Sequence, residues 1–122
     1  ELLLLDDGHC LRDQVIDLCK RADAPHASSA HSDTRAASLT TIIQLVIAGF
    51  GATLVPRSAV ATECDRPGLG LATFAPGVDA HRTVGLAYRA SSTRGEEFAA
   101  LGACITQAYE AAAERSTAIL EK

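Results

Sequence analysis

Leu2-Leu3-Leu4-Leu5-Asp6-Asp7-Gly8-His9-Cys10-Leu11-Arg12-Asp13-Gln14 is a strand, a turn and the start of a helix in consecutive order. The residues Glu1 to Leu5 read as a buried strand, and Asp6-Asp7-Gly8 as the turn that leaves it. From His9 to about Ala22 the period changes. Leu11, Val15, Leu18 and Ala22 recur in steps of three or four and make one apolar helical stripe. Asp7 is placed to cap that helix, and Lys20 with Arg21 suits its negative C-terminal end. A strand feeding a helix through a tight turn predicts an α/β layered fold.

The rest of the chain extends this pattern. Ala24 to Thr34 is polar, with room for a short strand. Ser38 is set to cap a second helix running through Leu39, Ile42, Ile43, Val46 and Ile47, which Gly49 and Gly51 end. Ala52–Val55 reads as a strand stopped by Pro56. Arg57–Glu63 reads as a helical turn and Cys64–Gly68 as a loop. Leu69–Phe74 and Thr83–Tyr88 read as strands around a Pro76-Gly77 turn. A last helix from about Gly95 carries the stripe Phe98, Leu101, Ile105, Ala108 and Ala112. The predicted order is β-α-β-α-β-β-α. The second helix is apolar on almost every side. It is either buried between the sheet and its neighbours or partly covered by another subunit.

Composition bounds the function. The chain has 122 residues, enough for one domain, with 48% hydrophobic and 21% charged residues, so it is globular. Three Phe, two Tyr and no Trp leave an aliphatic core and no platform for stacking bases. Eleven Lys and Arg against fifteen Asp and Glu give a net charge of -4, the wrong sign for gripping phosphates. Leu2–Leu5 is too short for a membrane span or a signal-peptide core, so no membrane partner is expected. Entering a buried strand directly at Glu1, the chain reads as part of something longer.

The four cysteines are Cys10, Cys19, Cys64 and Cys104, with no CxxC among them. The expected compartment is the reducing cytoplasm, where a disulfide is more often catalytic or sensory than structural. Cys10 falls in the first helical turn, facing backbone N–H groups and the positive end of the dipole, with His9 and Arg12 nearby. That is the setting of a reactive thiolate. Nine residues of intact helix hold Cys10 and Cys19 roughly 13.5 Å and about half a turn apart. A disulfide needs Cα atoms about 4.4–6.8 Å apart, so bonding requires the helix to unwind. Spacing alone leaves two readings open: a redox switch, or two unrelated cysteines with one packed as a small hydrophobe. Cys64, between Glu63 and Asp65, reads as a dull thiol in a polar loop. Cys104 reads as core packing.

Other motifs are weak. His26 and His31 form H-x4-H, which fits no standard metal pattern, and no metal or cofactor is expected. Gly49-Phe50-Gly51-Ala52-Thr53 ends a helix and begins a strand, the reverse of a dinucleotide fingerprint. No GxSxG nucleophile signature occurs.

Asp7-Gly8-His9-Cys10-Leu11-Arg12-Asp13-Gln14, with a second cysteine nine residues after the first, resembles the OxyR family of peroxide-sensing LysR-type transcription regulators. Ala37-Ser38-Leu39-Thr40-Thr41, Ala48–Pro56 and Arg82–Arg89 extend the resemblance from Glu1 to about Tyr109, although the last two stretches are common to LysR-type effector domains. The resemblance implies a periplasmic-binding-protein-like (type 2) α/β regulatory domain. Residues 1–122 would hold mostly its second subdomain, with the strand and helix that return to the first. The DNA-binding helix-turn-helix domain lies outside this chain. Cys10 would be the peroxidatic cysteine and Cys19 the resolving one. His9, Arg12, Asp13, Thr53 and Arg82 would form the peroxide pocket. The implied partners are hydrogen peroxide, further copies in a dimer or tetramer, and a glutaredoxin or thioredoxin as reductant. DNA would be met only through the N-terminal domain. The resemblance implies a regulator rather than an enzyme. The alternatives are a LysR-type domain answering a small metabolite and a thiol peroxidase using the same cysteine pair.

Overall fold

The computed structural model describes residues 1–21 and 35–121. The expected strand within Ala24–Thr34, together with His26 and His31, lies outside the described residues.

The opening strand forms, but shorter than the expected Glu1–Leu5. Strand β1 (Leu4–Leu5) leads into helix α1 (Cys10–Arg21), and strand β2 (Arg35–Ala36) leads into helix α2 (Leu39–Ile47). β1 and β2 are parallel, with Leu4 opposite Arg35 and Leu5 opposite Ala36. On the other side of β1, Leu2 forms a parallel bridge with Ala52. Leu3 N–H donates to the Ala52 carbonyl at 2.8 Å, and Ala52 N–H donates to the Glu1 carbonyl at 2.9 Å. β1 is therefore the central strand, and its two parallel neighbours are reached through the helices α1 and α2. Of the expected strand Ala52–Val55, only the Ala52 bridge forms.

Ser38 caps α2 as its sequence indicates, its Oγ accepting from Thr41 N–H at 3.2 Å. Ala48 is the C-cap, and Gly49, at φ +85°, turns the chain away in a conformation that side chains resist. Gly51 has a different reason to be glycine. Its φ is +154°, and a Cβ there would sit 2.2 Å from the Glu1 carbonyl oxygen. The bare backbone lets the chain come close enough to pair with the start of β1.

Helix α2 is buried from two sides. Ile42 joins Leu3, Leu5 and Ala36 in one cluster, with Leu11, Leu45 and Val46 against it. Ile43 joins Val60 and Cys64 in a second, with Ile47, Val55, Leu69, Ile119 and Leu120 against it. This accounts for a helix apolar on nearly every face without a second subunit.

Helix α3 (Arg57–Glu63) follows Pro56, and helix α4 (Gly95–Leu120) closes the chain. α4 packs on α3 through its last turns. Ser116 is fully buried, its Oγ accepting from Ala61 N–H at 3.2 Å, and Arg57 Nη2 donates to Thr117 Oγ1. The expected stripe is therefore misplaced. Leu101, Ile105 and Tyr109 are exposed, and so is Cys104, read from sequence as core packing.

The expected strands Leu69–Phe74 and Thr83–Tyr88 do not form. Both stretches alternate apolar residues, but neither finds a neighbouring ladder among the described residues. Leu71, Phe74, Val84, Leu86 and Tyr88 stay exposed. A strand is completed by its partner's hydrogen bonds, and alternation alone does not supply them. The turn at Pro76-Gly77 does form, closed by Val78 N–H on the Ala75 carbonyl at 3.2 Å.

Candidate redox site

The site is built where β1 hands over to α1. The chain turns at Asp7-Gly8, and α1 starts at Cys10 itself. His9 N–H donates to the Asp6 carbonyl at 3.4 Å, and the His9 carbonyl accepts from Arg12 N–H at 2.9 Å. These bonds set the entry into the helix. Asp7, read from sequence as the helix cap, instead turns its carboxylate to two guanidinium groups. Arg12 Nη1 is 3.1 Å from Oδ1, and Arg35 Nη1 donates to Oδ2 at 2.8 Å.

Cys10 is exposed and Cys19 half-buried, and both are free thiols. Both lie on the unbroken helix α1, so about 13.5 Å of helix rise separates them. The geometry argued from spacing therefore holds in the folded chain.

The remaining site residues fall into two groups. Arg12 and Thr53 line one small cavity together with Leu3, Leu5, Leu11, Val15 and Leu54. Its volume of about 10 Å³ matches a water-sized molecule. Thr53 Oγ1 donates to the Leu3 carbonyl at 3.0 Å, which leaves its oxygen able to accept. Arg12 is only 15% exposed, and its Nε is buried without a hydrogen-bond partner. His9, Asp13 and Arg82 lie outside this cavity. Asp13 stands 3.8 Å from Arg12 Nη1. Arg82 Nη1 donates to Gln14 Oε1 at 3.4 Å. Gln14 is one turn past Cys10 on the same helical face, so Arg82 is brought to that face.

Cys64 is not in a polar loop. It is the C-cap of α3 and is buried against Ile43 and Val60. Its thiol pKa is pushed up by burial first and by the Glu63 carboxylate second, with Arg66 pulling the other way. The dull thiol expected from sequence is thus explained by burial more than by its acidic neighbour Glu63. Among the described residues no group of three or more His, Cys, Asp or Glu could hold a metal ion. No helix among them is long and apolar enough to cross a membrane.

Residues 1–110 match the family described as the LysR substrate binding domain. The chain belongs to that family. It is 48% identical over 107 residues to a probable hydrogen peroxide-inducible genes activator of Mycobacterium avium, covering 85% of this chain and 32% of that protein. It is 43% identical over 96 residues to the DNA-binding transcriptional dual regulator OxyR of Escherichia coli K12, covering 75% of this chain and 28% of that protein. A solved Corynebacterium glutamicum OxyR, a cysteine-to-serine mutant with H2O2 bound, superposes with a TM-score of 0.88 at 51% identity. That match covers 97% of this chain and 37% of the solved one. A second cysteine mutant of the same protein gives 0.86 at 49% identity, covering 98% and 36%. The chain spans about a third of the length of the curated relatives it matches.

The LysR substrate-binding fold expected from the resemblance is thus the one found, a mixed helix and strand domain of periplasmic-binding-protein type. Within it, sequence reasoning missed the part played by Asp7 and Arg35. Their side chains meet across 28 residues of chain. Only the β1–β2 pairing places them together, and no local pattern marks it.

Proposed function

We propose that this LysR-type domain is the hydrogen-peroxide-sensing part of a transcription regulator, with Cys10 peroxidatic and Cys19 resolving. The observation that carries the proposal is an exposed thiol at the first residue of α1, with a second thiol on the same helix out of bonding reach. Identity to proteins named as peroxide-inducible activators supports it, as does the fold shared with an H2O2-bound OxyR.

The chemistry balances as a two-electron exchange. The Cys10 thiolate attacks one oxygen of HOOH and the O–O bond breaks. This leaves a sulfenic acid on Cys10 and releases hydroxide, which takes up a proton as water. The Cys19 thiolate attacks the sulfenic sulfur, forms the S–S bond as the S–O bond breaks, and expels hydroxide, which takes up the proton the Cys19 thiol gave up and leaves as water. Two thiols are oxidised and one peroxide becomes two waters. Closing the bond breaks α1, and that rearrangement is the signal. Arg12 and Thr53 share a cavity beside β1 that Cys10 does not line and that, at about 10 Å³, is too small for a metabolite. His9, Asp13 and Arg82, which lie outside that cavity, are assigned to peroxide on the Cys10 side of the helix by the same proposal.

The domain acts as a regulator that turns over once per reduction, in the cytoplasm. A glutaredoxin or thioredoxin dithiol returns it to the reduced form. Association into a dimer or tetramer carries the signal to DNA contacts made by a separate helix-turn-helix domain.

The test is peptide mapping by mass spectrometry after one equivalent of peroxide is added to the reduced chain. A Cys10–Cys19 linkage that disappears in Cys10→Ser is the expected result. No linkage, or one through Cys64 or Cys104, overturns the proposal.

A further inference from the structure

Asp7 joins three pieces of the fold. It sits in the turn between β1 and α1. One carboxylate oxygen meets Arg12 in the first turn of α1 at 3.1 Å, and the other meets Arg35 on β2 at 2.8 Å. Arg35 is paired with Leu4 of the central strand, so it is a fixed anchor. Arg12 is the moving part. It is 15% exposed, lies against the wall of the small cavity, and has a buried Nε without a partner. Its other counter-charge nearby is Asp13, at 3.8 Å. Asp7 is itself 71% exposed, so the contact has the modest strength of a surface ion pair, enough to bias the helix and weak enough to yield to a covalent bond.

The position of Arg12 relative to the two thiols decides what Asp7 does. Arg12 lies inside the loop that a Cys10–Cys19 bond would close, and Asp7 lies outside it. Closing that loop shrinks a separation of about 13.5 Å to at most about 6.8 Å. At least part of the helix between the two thiols must then unwind, and Arg12, two residues past Cys10, lies in that stretch, while Asp7 is tied to β2 through Arg35.

We propose that Asp7 is a positioning residue, a latch that holds the Arg12 turn of α1 in the reduced state and is released when the disulfide forms. This rests on the sensing role proposed above for Cys10 and Cys19. The latch favours the dithiol form and so opposes oxidation. It sets how strongly oxidising the surroundings must be before α1 opens, although Asp7 touches neither sulfur nor peroxide.

The experiment equilibrates the full 122-residue chain in oxidised and reduced dithiothreitol buffers and measures the Cys10–Cys19 disulfide fraction. Wild type is compared with Asp7→Asn, which keeps the shape and removes the charge. The expected result is a disulfide about threefold harder to reduce in Asp7→Asn. Raising the NaCl concentration from 0.05 to about 1 M should narrow the gap, because the lost interaction is ionic. A purely structural defect would not follow salt in this way. Equal reduction constants, a disulfide easier to reduce in the variant, or a gap indifferent to salt would each overturn the latch. If circular dichroism shows that Asp7→Asn does not fold, Arg35→Gln makes the same comparison by freeing the anchor side alone. The two proposals fail separately. A wild-type chain that forms no Cys10–Cys19 bond defeats the sensing role itself. A wild-type bond with no difference in the variants defeats only the latch.

Discussion

The four cysteines differ in reactivity because their surroundings differ, and iodoacetamide should report it. Cys10 and Cys104 are exposed and should label first, Cys19 more slowly. Cys64 is buried with its pKa pushed up, and should label only as the chain unfolds. Prompt labelling of Cys64 in the native chain would contradict its placement. The same thiol ties stability to pH. Its folded-state pKa lies above its ordinary value, so the unfolded chain ionises it first. Its contribution is complete below the ordinary thiol value and is lost as pH rises through the folded one. The stability advantage of wild type over Cys64→Ala should therefore shrink as pH rises past the ordinary thiol value of 9.0, measured by urea unfolding. Gly51 offers a sharper test. Its positive φ and the Glu1 oxygen 2.2 Å from an added Cβ predict that Gly51→Ala costs about 1–3 kcal/mol, read from the same unfolding curves.

Elements form here where local signals and long-range partners agree. α1 and α2 had both: an apolar stripe for burial and, for α2, a cap residue that the structure uses. Ser38→Ala should cost about 1 kcal/mol, seen as a lower urea midpoint with an unchanged slope. A change below a few tenths would mean that Thr41 N–H finds another acceptor. The segments 69–74 and 83–88 had the alternation of strands but no ladder beside them. Their pattern describes a surface ready to pair, and pairing is a property of two segments. The stripe on α4 misled in a related way. Helical periodicity shows which residues share a face, and it does not say which length of that face is covered. Ser116 is buried and Ile119 and Leu120 half-buried at the C-terminal end of the helix, all past the predicted stripe.

On the largest scale, the buried side chains among the described residues form two clusters that meet at α2. One is built from β1, β2 and α2; the other from α2, α3 and the end of α4. The redox site hangs on the first cluster, and Cys64 sits in the second. Ending the chain after Ala112 removes Ser116, Ile119 and Leu120 from α3. Cys64 should then label with iodoacetamide as the exposed cysteines do, while helix content from α1 and α2 persists by circular dichroism. Continued protection of Cys64 would show that Ile43 and Val60 suffice to bury it. The divided core suits the proposed switch, since α1 lies against one cluster only while α2 is held by both.

Local sequence is enough for the strand–turn–helix start, the Ser38 cap of α2, and the helical spacing that keeps Cys10 from Cys19. These follow from neighbours along the chain, where propensity, capping and helix rise act over a few residues. The resemblance of Asp7–Gln14 to a known motif likewise needed only the string. Tertiary structure decided the rest. It placed Arg12 and Thr53 on one cavity, brought Arg82 to the Cys10 face, buried Cys64, left Cys104 in water and joined Asp7 to Arg35. Each of these is a meeting between residues far apart in sequence, set by which strands pair and which helix ends pack, and no local pattern encodes such a meeting.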